Sequence, residues 1–264
     1  MIPEADALRA ESECFNKLLE KNEEHFGMIT QFKSWSINDV VQHIHYFNVL
    51  ADHAIFDRAA FETEYGALNA LRAGSSSLVR ATDVRLSHLT GDRLRVEWLA
   101  TATAISARWS DLDPSIRAVW ARREMSVRSL ITSRLMETWA HAQAVYDILG
   151  VDRISRDRIK GIAALGVSTF GWSFRVRKME VPAIVPHVAL TSPSGEIWRW
   201  GPQSHSEIIS GSAEAFCQVV TQVRNIKDVR LNVVGDVAQT WMENAQCFAG
   251  APQDAPPPGS RFRI

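Results

Sequence analysis

Apolar residues recur at helical spacing over the first 150 residues, then give way to short runs broken by Gly and Pro. Leu8, Phe15, Leu18 and Leu19 form a first stripe. A second helix opens at Ser36, whose side chain can cap it, with Asp39 completing a capping-box pattern, and runs to about Arg58. Gly74 and Ser75 to Ser77 mark a break. Leu94, Trp98, Ile105 and Trp109 make a third stripe after a turn at Gly91 and Asp92, and Asp113-Pro114 interrupts again. A fourth helix covers roughly Met125 to Leu149, with Val127, Ile131, Leu135, Ala142, Val145 and Leu149 on one face and Gly150 as its stop. Four amphipathic helices of about twenty residues predict a bundle.

The second half reads differently. A helical stretch near Asp157 to Phe170 is followed by Gly171, Pro182 and Pro186. Strands are predicted at His187 to Thr191, Glu196 to Trp200 and Glu207 to Ile209, the first two as a hairpin across the turn signal Pro193-Ser194-Gly195. A helix over Ser212 to Val223, a strand over Val229 to Val234 and a last helix over Val237 to Phe248 complete an α+β unit. The predicted organisation is a four-helix bundle over residues 1–152, a small α+β domain over 153–250 and a Pro-rich tail over 251–264. Its run from Ala251 to Ser260 cannot build a core, which predicts a flexible segment or one draped over the surface.

Composition narrows the class of partner. The chain has 264 residues, 46% hydrophobic and 22% charged, which excludes disordered and fibrous classes. Twenty-nine basic against 30 acidic side chains leave a net charge of −1, so the electrostatic footprint expected of a nucleic-acid or anionic-lipid binder is missing. A small-molecule partner is expected instead, bound by a monomer or homodimer. Of the basic residues 23 are Arg and six Lys, a bias that a GC-rich genome produces as readily as a need for guanidinium forks. Cys14, Cys217 and Cys247 are odd in number and far apart, which rules out a disulfide framework and a thiolate zinc site. No apolar run reaches the roughly 18 residues of a membrane span, and the acidic N-terminus lacks the pattern of a signal peptide. The expectation is a cytoplasmic protein.

The chemistry-bearing residues lie on the second and fourth helices. Glu137 and His141 are four apart, hence neighbours on one face, and their row runs beside the apolar stripe. On the second helix Val40, His43, Phe47, Leu50 and Ala54 follow core spacing, which puts His43 in the interior. Two imidazoles and a carboxylate from facing helices make a three-ligand site with open positions, a pattern shared by catalytic zinc and non-haem iron. A plainer reading pairs Glu137 with Arg134 and makes His43 an ordinary core histidine. His45 falls on the row Val41, His45, Asn48, Asp52, which turns polar, and reads as a surface residue or a support to the ligands.

The stretch Trp35-Ser-Ile-Asn-Asp-Val-Val-Gln-His43 resembles the Trp-x7-His signature of DinB-like bundles related to mycothiol-dependent maleylpyruvate isomerase. Arg134-Leu-Met-Glu-Thr-Trp-Ala-His141 resembles the second metal motif of that group. Gly195 to Pro202, Gly211 to Cys217 and Val220 to Arg224 resemble the C-terminal domain of a mainly actinobacterial metal-binding branch of it. The resemblance implies a DinB-like bundle followed by a sterol-carrier-like α+β domain. It implies His43, Glu137 and His141 as ligands of a divalent metal, zinc first, with nickel or iron suited to the same donors. It also implies mycothiol or a similar low-molecular-weight thiol as cofactor, and isomerisation or transfer on a small, anionic carboxylate substrate. Arg134 and Arg224 are the implied substrate forks. The competing functions are a hydrolase or lyase working through a metal-bound water, and a non-catalytic metal-dependent binding protein. The chain departs from the motif at Ala144, where the branch carries Asp, and at Val223, where it carries Arg.

Overall fold

The computed structural model describes residues 1–73, 82, 85–120 and 123–264. The chain divides into two units, Met1–Gly150 and Val151–Ile264. In the first unit, α1 (Pro3–Glu20) opens on a proline, with Glu4 and Asp6 in its first turn, where the helix dipole favours negative charge. Ser36 caps α2 (Ile37–Phe56): its hydroxyl accepts the Asp39 N–H, and the Asp39 carboxylate accepts the Ser36 N–H. A further helix, α3 (Arg58–Ala73), is additional to the four stripes and buries Phe61 and Leu68. Helices α4 (Gly91–Ser110) and α5 (Val127–Ile148) complete this unit, with α1 packed on α4 and α5, and α2 packed on α3, α4 and α5. Phe15, Val40, Ile44, Leu94, Trp98, Ala142 and Val145 meet in its core. The break predicted at Gly74 to Ser77 lies outside the described residues.

Met125 does not begin the fourth helix. It belongs to a hairpin of β1 (Arg117–Trp120) and β2 (Arg123–Ser126), where it pairs with Ala118. Ser126 ends that pairing by turning its hydroxyl to the Ser129 N–H, which caps α5. Helical spacing is blind to such a switch, because strand pairing is a contact with residues elsewhere in the chain.

The second unit holds α6 (Lys160–Ser168) and α7 (Phe170–Arg175), then β3 (His187–Thr191), β4 (Ile197–Trp200) and β5 (Ile208–Ser212). After these come α8 (Ala213–Val220), β6 (Leu231–Val234) and α9 (Asp236–Asn244). The four strands form one mixed sheet, ordered β4-β3-β5-β6, with the expected β3–β4 hairpin and a parallel β3–β5 pair. Helix α8 stops at Val220 because Gln222 takes a left-handed conformation, φ 57°, and the Val223 and Arg224 N–H groups both return to the Gln218 carbonyl. Helix α9 stops at Asn244 because the next N–H groups leave it: Gln246 donates to Ser173 Oγ and Cys247 to the Val220 carbonyl. The segment after Gly250 runs without helix or strand and is held by side chains, Gln222 Nε2 donating to the Gln253 carbonyl and Asn225 Nδ2 to that of Pro256. Among the described residues no helix is long and apolar enough to cross a membrane.

Candidate metal centre

The packing of α2 on α5 sets His43 opposite Glu137 and His141. One donor atom from each lies within 4.8 Å of the others. Glu137 Oε2 is the hub, 3.0 Å from His141 Nε2 and 3.8 Å from His43 Nε2. The two histidine side chains are 8% and 11% exposed, whereas a quarter of Glu137 is open, so solvent reaches the cluster mainly at the carboxylate.

Aromatic rings hold the imidazoles. Trp35 stacks on His141, centroids 5.6 Å apart and planes 8° from parallel, and Phe32 meets the same ring edge-on at 5.0 Å. Trp35 also lies 5.1 Å from His43, whose far side meets Phe47 at 4.7 Å; Trp120 of the hairpin stands 6.2 Å beyond Phe47. Both loop aromatics are delivered by a tight turn. Lys33 and Ser34 adopt φ of 51° and 57°, consecutive left-handed residues with side chains, while Trp35 N–H donates to the Phe32 carbonyl and Thr30 N–H to that of Trp35. The spacing of Trp35 to His43 therefore has a physical meaning: the indole just before the cap folds back over the imidazole two turns along.

The electrostatics match the burial. His43 is pushed down to about 4, by burial first and by its neighbour His141 second, so its ring is neutral at physiological pH. Burial drives the Glu137 carboxyl up, but hydrogen bonding with His141, the His43 ring 3.8 Å away and the nearby Arg134 charge outweigh it and hold the group well below the usual carboxylate range. A neutral imidazole and an ionised carboxylate are the protonation states a metal needs.

Arg134 is buried, 2% exposed, and does not form the plain ion pair with Glu137. Its Nε donates to Asn48 Oδ1 at 3.1 Å, and its guanidinium lies 5.9 Å above the Phe47 ring. Burial lowers it to about 10, which leaves it charged at neutral pH. Arg224 belongs to the second unit, where Nη1 donates to the Val223 carbonyl. His45 corrects the sequence reading: it is buried, 4% exposed, and Nε2 faces Glu97 at 4.0 Å. The polar row predicted for that side of α2 is covered because α2 is packed on several sides, by α3 and α4 as well as α5. Asn48, on that row and fully buried, is the residue of this neighbourhood that spacing left without a role. The signal available for it was its place five residues after His43.

The fold is shared with a solved enzyme structure. The chain superposes on the crystal structure of a mycothiol-dependent maleylpyruvate isomerase with a TM-score of 0.51 and 14% identity, over 82% of this chain and 87% of that one. A histidine-to-alanine variant of that enzyme matches with the same TM-score and 13% identity, over 84% and 88%. At that identity the likeness is one of fold. The family follows from sequence: the model of the mycothiol maleylpyruvate isomerase N-terminal domain matches residues 8–146, and the chain belongs to that family. Two uncharacterized proteins of Mycobacterium tuberculosis, MT0041 of strain CDC 1551 / Oshkosh and Rv0036c of strain ATCC 25618 / H37Rv, are each 34% identical over 246 residues, 93% of this chain and 95% of theirs.

Proposed function

We propose that the protein is a metal-dependent enzyme of the maleylpyruvate isomerase type, in which His43, Glu137 and His141 hold one divalent metal ion. Its chemistry is isomerisation or transfer on a small carboxylate substrate, carried by mycothiol or a similar low-molecular-weight thiol. The observation that carries the reading is the convergence of three donor atoms within 4.8 Å in a chain of this family. The donor set fits: ligands held at about 2.0–2.2 Å from one ion lie roughly 3–3.5 Å apart, which the separations of 3.0 and 3.8 Å bracket. Two nitrogens and a carboxylate suit zinc, and also nickel or iron.

When bound, such an ion supplies the Lewis acidity that favours a thiolate over a thiol. The protein's own groups do the rest. Phe32 and Trp35 keep the His141 ring in one orientation and exclude water from one side, while the open side of Glu137 leaves an approach for thiol and substrate. We read the second unit as the sterol-carrier-like domain, a reading supported by its four-stranded mixed sheet with helices. A cytosolic location suits three cysteines that form no disulfide.

Metal content tests this. Purified and reconstituted protein should carry about one divalent ion per chain by elemental analysis, and His141→Ala should bind it at least about 100-fold more weakly, since loss of even an outer partner costs 10- to 100-fold. Metal far below one per chain in the reconstituted wild type would overturn the reading.

A further inference from the structure

Arg134 and Asn48 together leave two buried hydrogen-bond donors without an acceptor. Arg134 Nε is used by Asn48 Oδ1, but Arg134 Nη2 and Asn48 Nδ2 are buried with no partner. Nε and Nη2 are the two tines of one side of the guanidinium fork, the side that grips a carboxylate in bidentate fashion. One tine is occupied by the amide oxygen and the other is empty. In this geometry Asn48 Oδ1 takes Nε and leaves Nη2 unbonded, and the remaining polar atom on Asn48 is itself a donor. Both side chains are almost wholly enclosed, 2% and 0% exposed, where an unpaired charge and an unpaired amide are costly. The nearest negative group, Glu137, is occupied by the histidines.

The position of this pair ties it to the site. The guanidinium lies over Phe47, whose ring packs on His43, and its charge is felt by both His43 and Glu137. We infer that Arg134 and Asn48 form an anion cradle beside the metal triad, in which Nη2 and Nδ2 both donate to an oxygen of a bound carboxylate. Asn48 is then a specificity-determining residue: it occupies one tine of the fork, adds a neutral donor of its own, and so selects an ionised acid over its ester or amide. The inference rests on the isomerase-type reading for the identity of the ligand, a small organic acid; the cradle itself rests on the unpaired donors.

Maleate is the probe, and the experiment uses the full chain, metal-free and metal-loaded. Calorimetry should show maleate binding to both forms, and dimethyl maleate to neither. Asn48→Asp supplies a built-in carboxylate of the same size, which completes the fork. It should fold at least as stably as wild type and bind maleate on the order of 10- to 100-fold more weakly. A second readout needs no variant: the Arg134 Nε–H resonance should shift on adding maleate and stay still with the diester. Equal maleate binding by wild type and Asn48→Asp, or an unmoved Arg134 resonance at saturating maleate, would overturn the cradle and leave these donors to buried water. The two readings fail separately. Metal uptake without Asn48-dependent maleate binding defeats the cradle alone, whereas Asn48-dependent maleate binding by a protein that takes up no metal defeats the metal centre alone.

Discussion

The two units differ in how completely their buried polar side chains are paired: among the described residues the second leaves Ser155 Oγ, His187 Nδ1 and Trp241 Nε1 without a partner, and the first leaves a larger number. In the second unit, buried Gln222 donates to two carbonyls, the buried Ser173 hydroxyl accepts the Gln246 N–H, and Glu207 accepts the N–H groups of Val237 and Ala238 at the start of α9. Each of these groups holds a chain turn or a helix end in place. In the first unit, His43 Nδ1 of the triad, Asn48 Nδ2 and Arg134 Nη2 of the pair beside it, and Thr138 Oγ1 next to Glu137 in the chain are buried without partners, as are atoms elsewhere in the unit such as Ser12 Oγ, Trp98 Nε1 and Ser106 Oγ. Native interiors satisfy nearly all such groups, so unpaired donors beside a set of candidate metal ligands mark a place to look for a bound molecule.

The sharpest way to break that contrast is to disturb the second unit at Glu207. Gly235 has φ 94°, and a Cβ there would lie 2.1 Å from the Ser206 carbonyl oxygen and 2.5 Å from the Glu207 carboxylate. Gly235→Ala should therefore cost at least about 3 kcal/mol, by backbone strain and by displacing the cap of α9. Hydrogen exchange followed by mass spectrometry should show protection lost across β5, β6 and α9 and retained in α2 and α5; equal loss in both units would remove the distinction between them.

Acid should strike the first unit instead. The His43 pKa lies at about 4 in the folded protein and 6.5 in its ordinary state, so between these values the unfolded chain binds a proton that the native one refuses. Stability of the metal-free protein should fall as pH drops from 6.5 towards 4, by up to about 3 kcal/mol. His45, also lowered by burial, adds in the same direction. Denaturant melts across that range should steepen for wild type and flatten for His43→Gln; an unchanged slope would show that His43 is not held neutral by its surroundings.

The smallest effect concerns the turn that carries the aromatics. Lys33→Gly relieves one left-handed residue and should stabilise the fold by about 1 kcal/mol at most, partly offset by the entropy of glycine. Thermal denaturation reads it. A loss of stability would mean that the Lys33 ammonium over the Phe32 ring, 5.3 Å from its centroid, outweighs the strain.

Much of the candidate site is legible along the chain. Glu137 and His141 share a helical face by their spacing, His43 sits in a core stripe, and Ser36 with Asp39 marks where that helix begins. Each of these is a local property, set within a few turns by a period of 3.6 residues. His45 was misread for the same reason: a period tells which residues share a face, and says nothing about how many faces are covered. The hairpin from Arg117 to Ser126 escaped because its strands are defined by each other.

The sequence by itself determined the stripes, the caps and the three donors on two helices, because these follow from torsional preference and helical repeat. Only the tertiary structure decided that Asn48 meets Arg134 across 86 residues, that Trp120 closes on Phe47, and that α2 is packed by three helices. Such contacts depend on which helix faces pack together and at what register. That is settled by the burial of many side chains at once, and no local pattern records it.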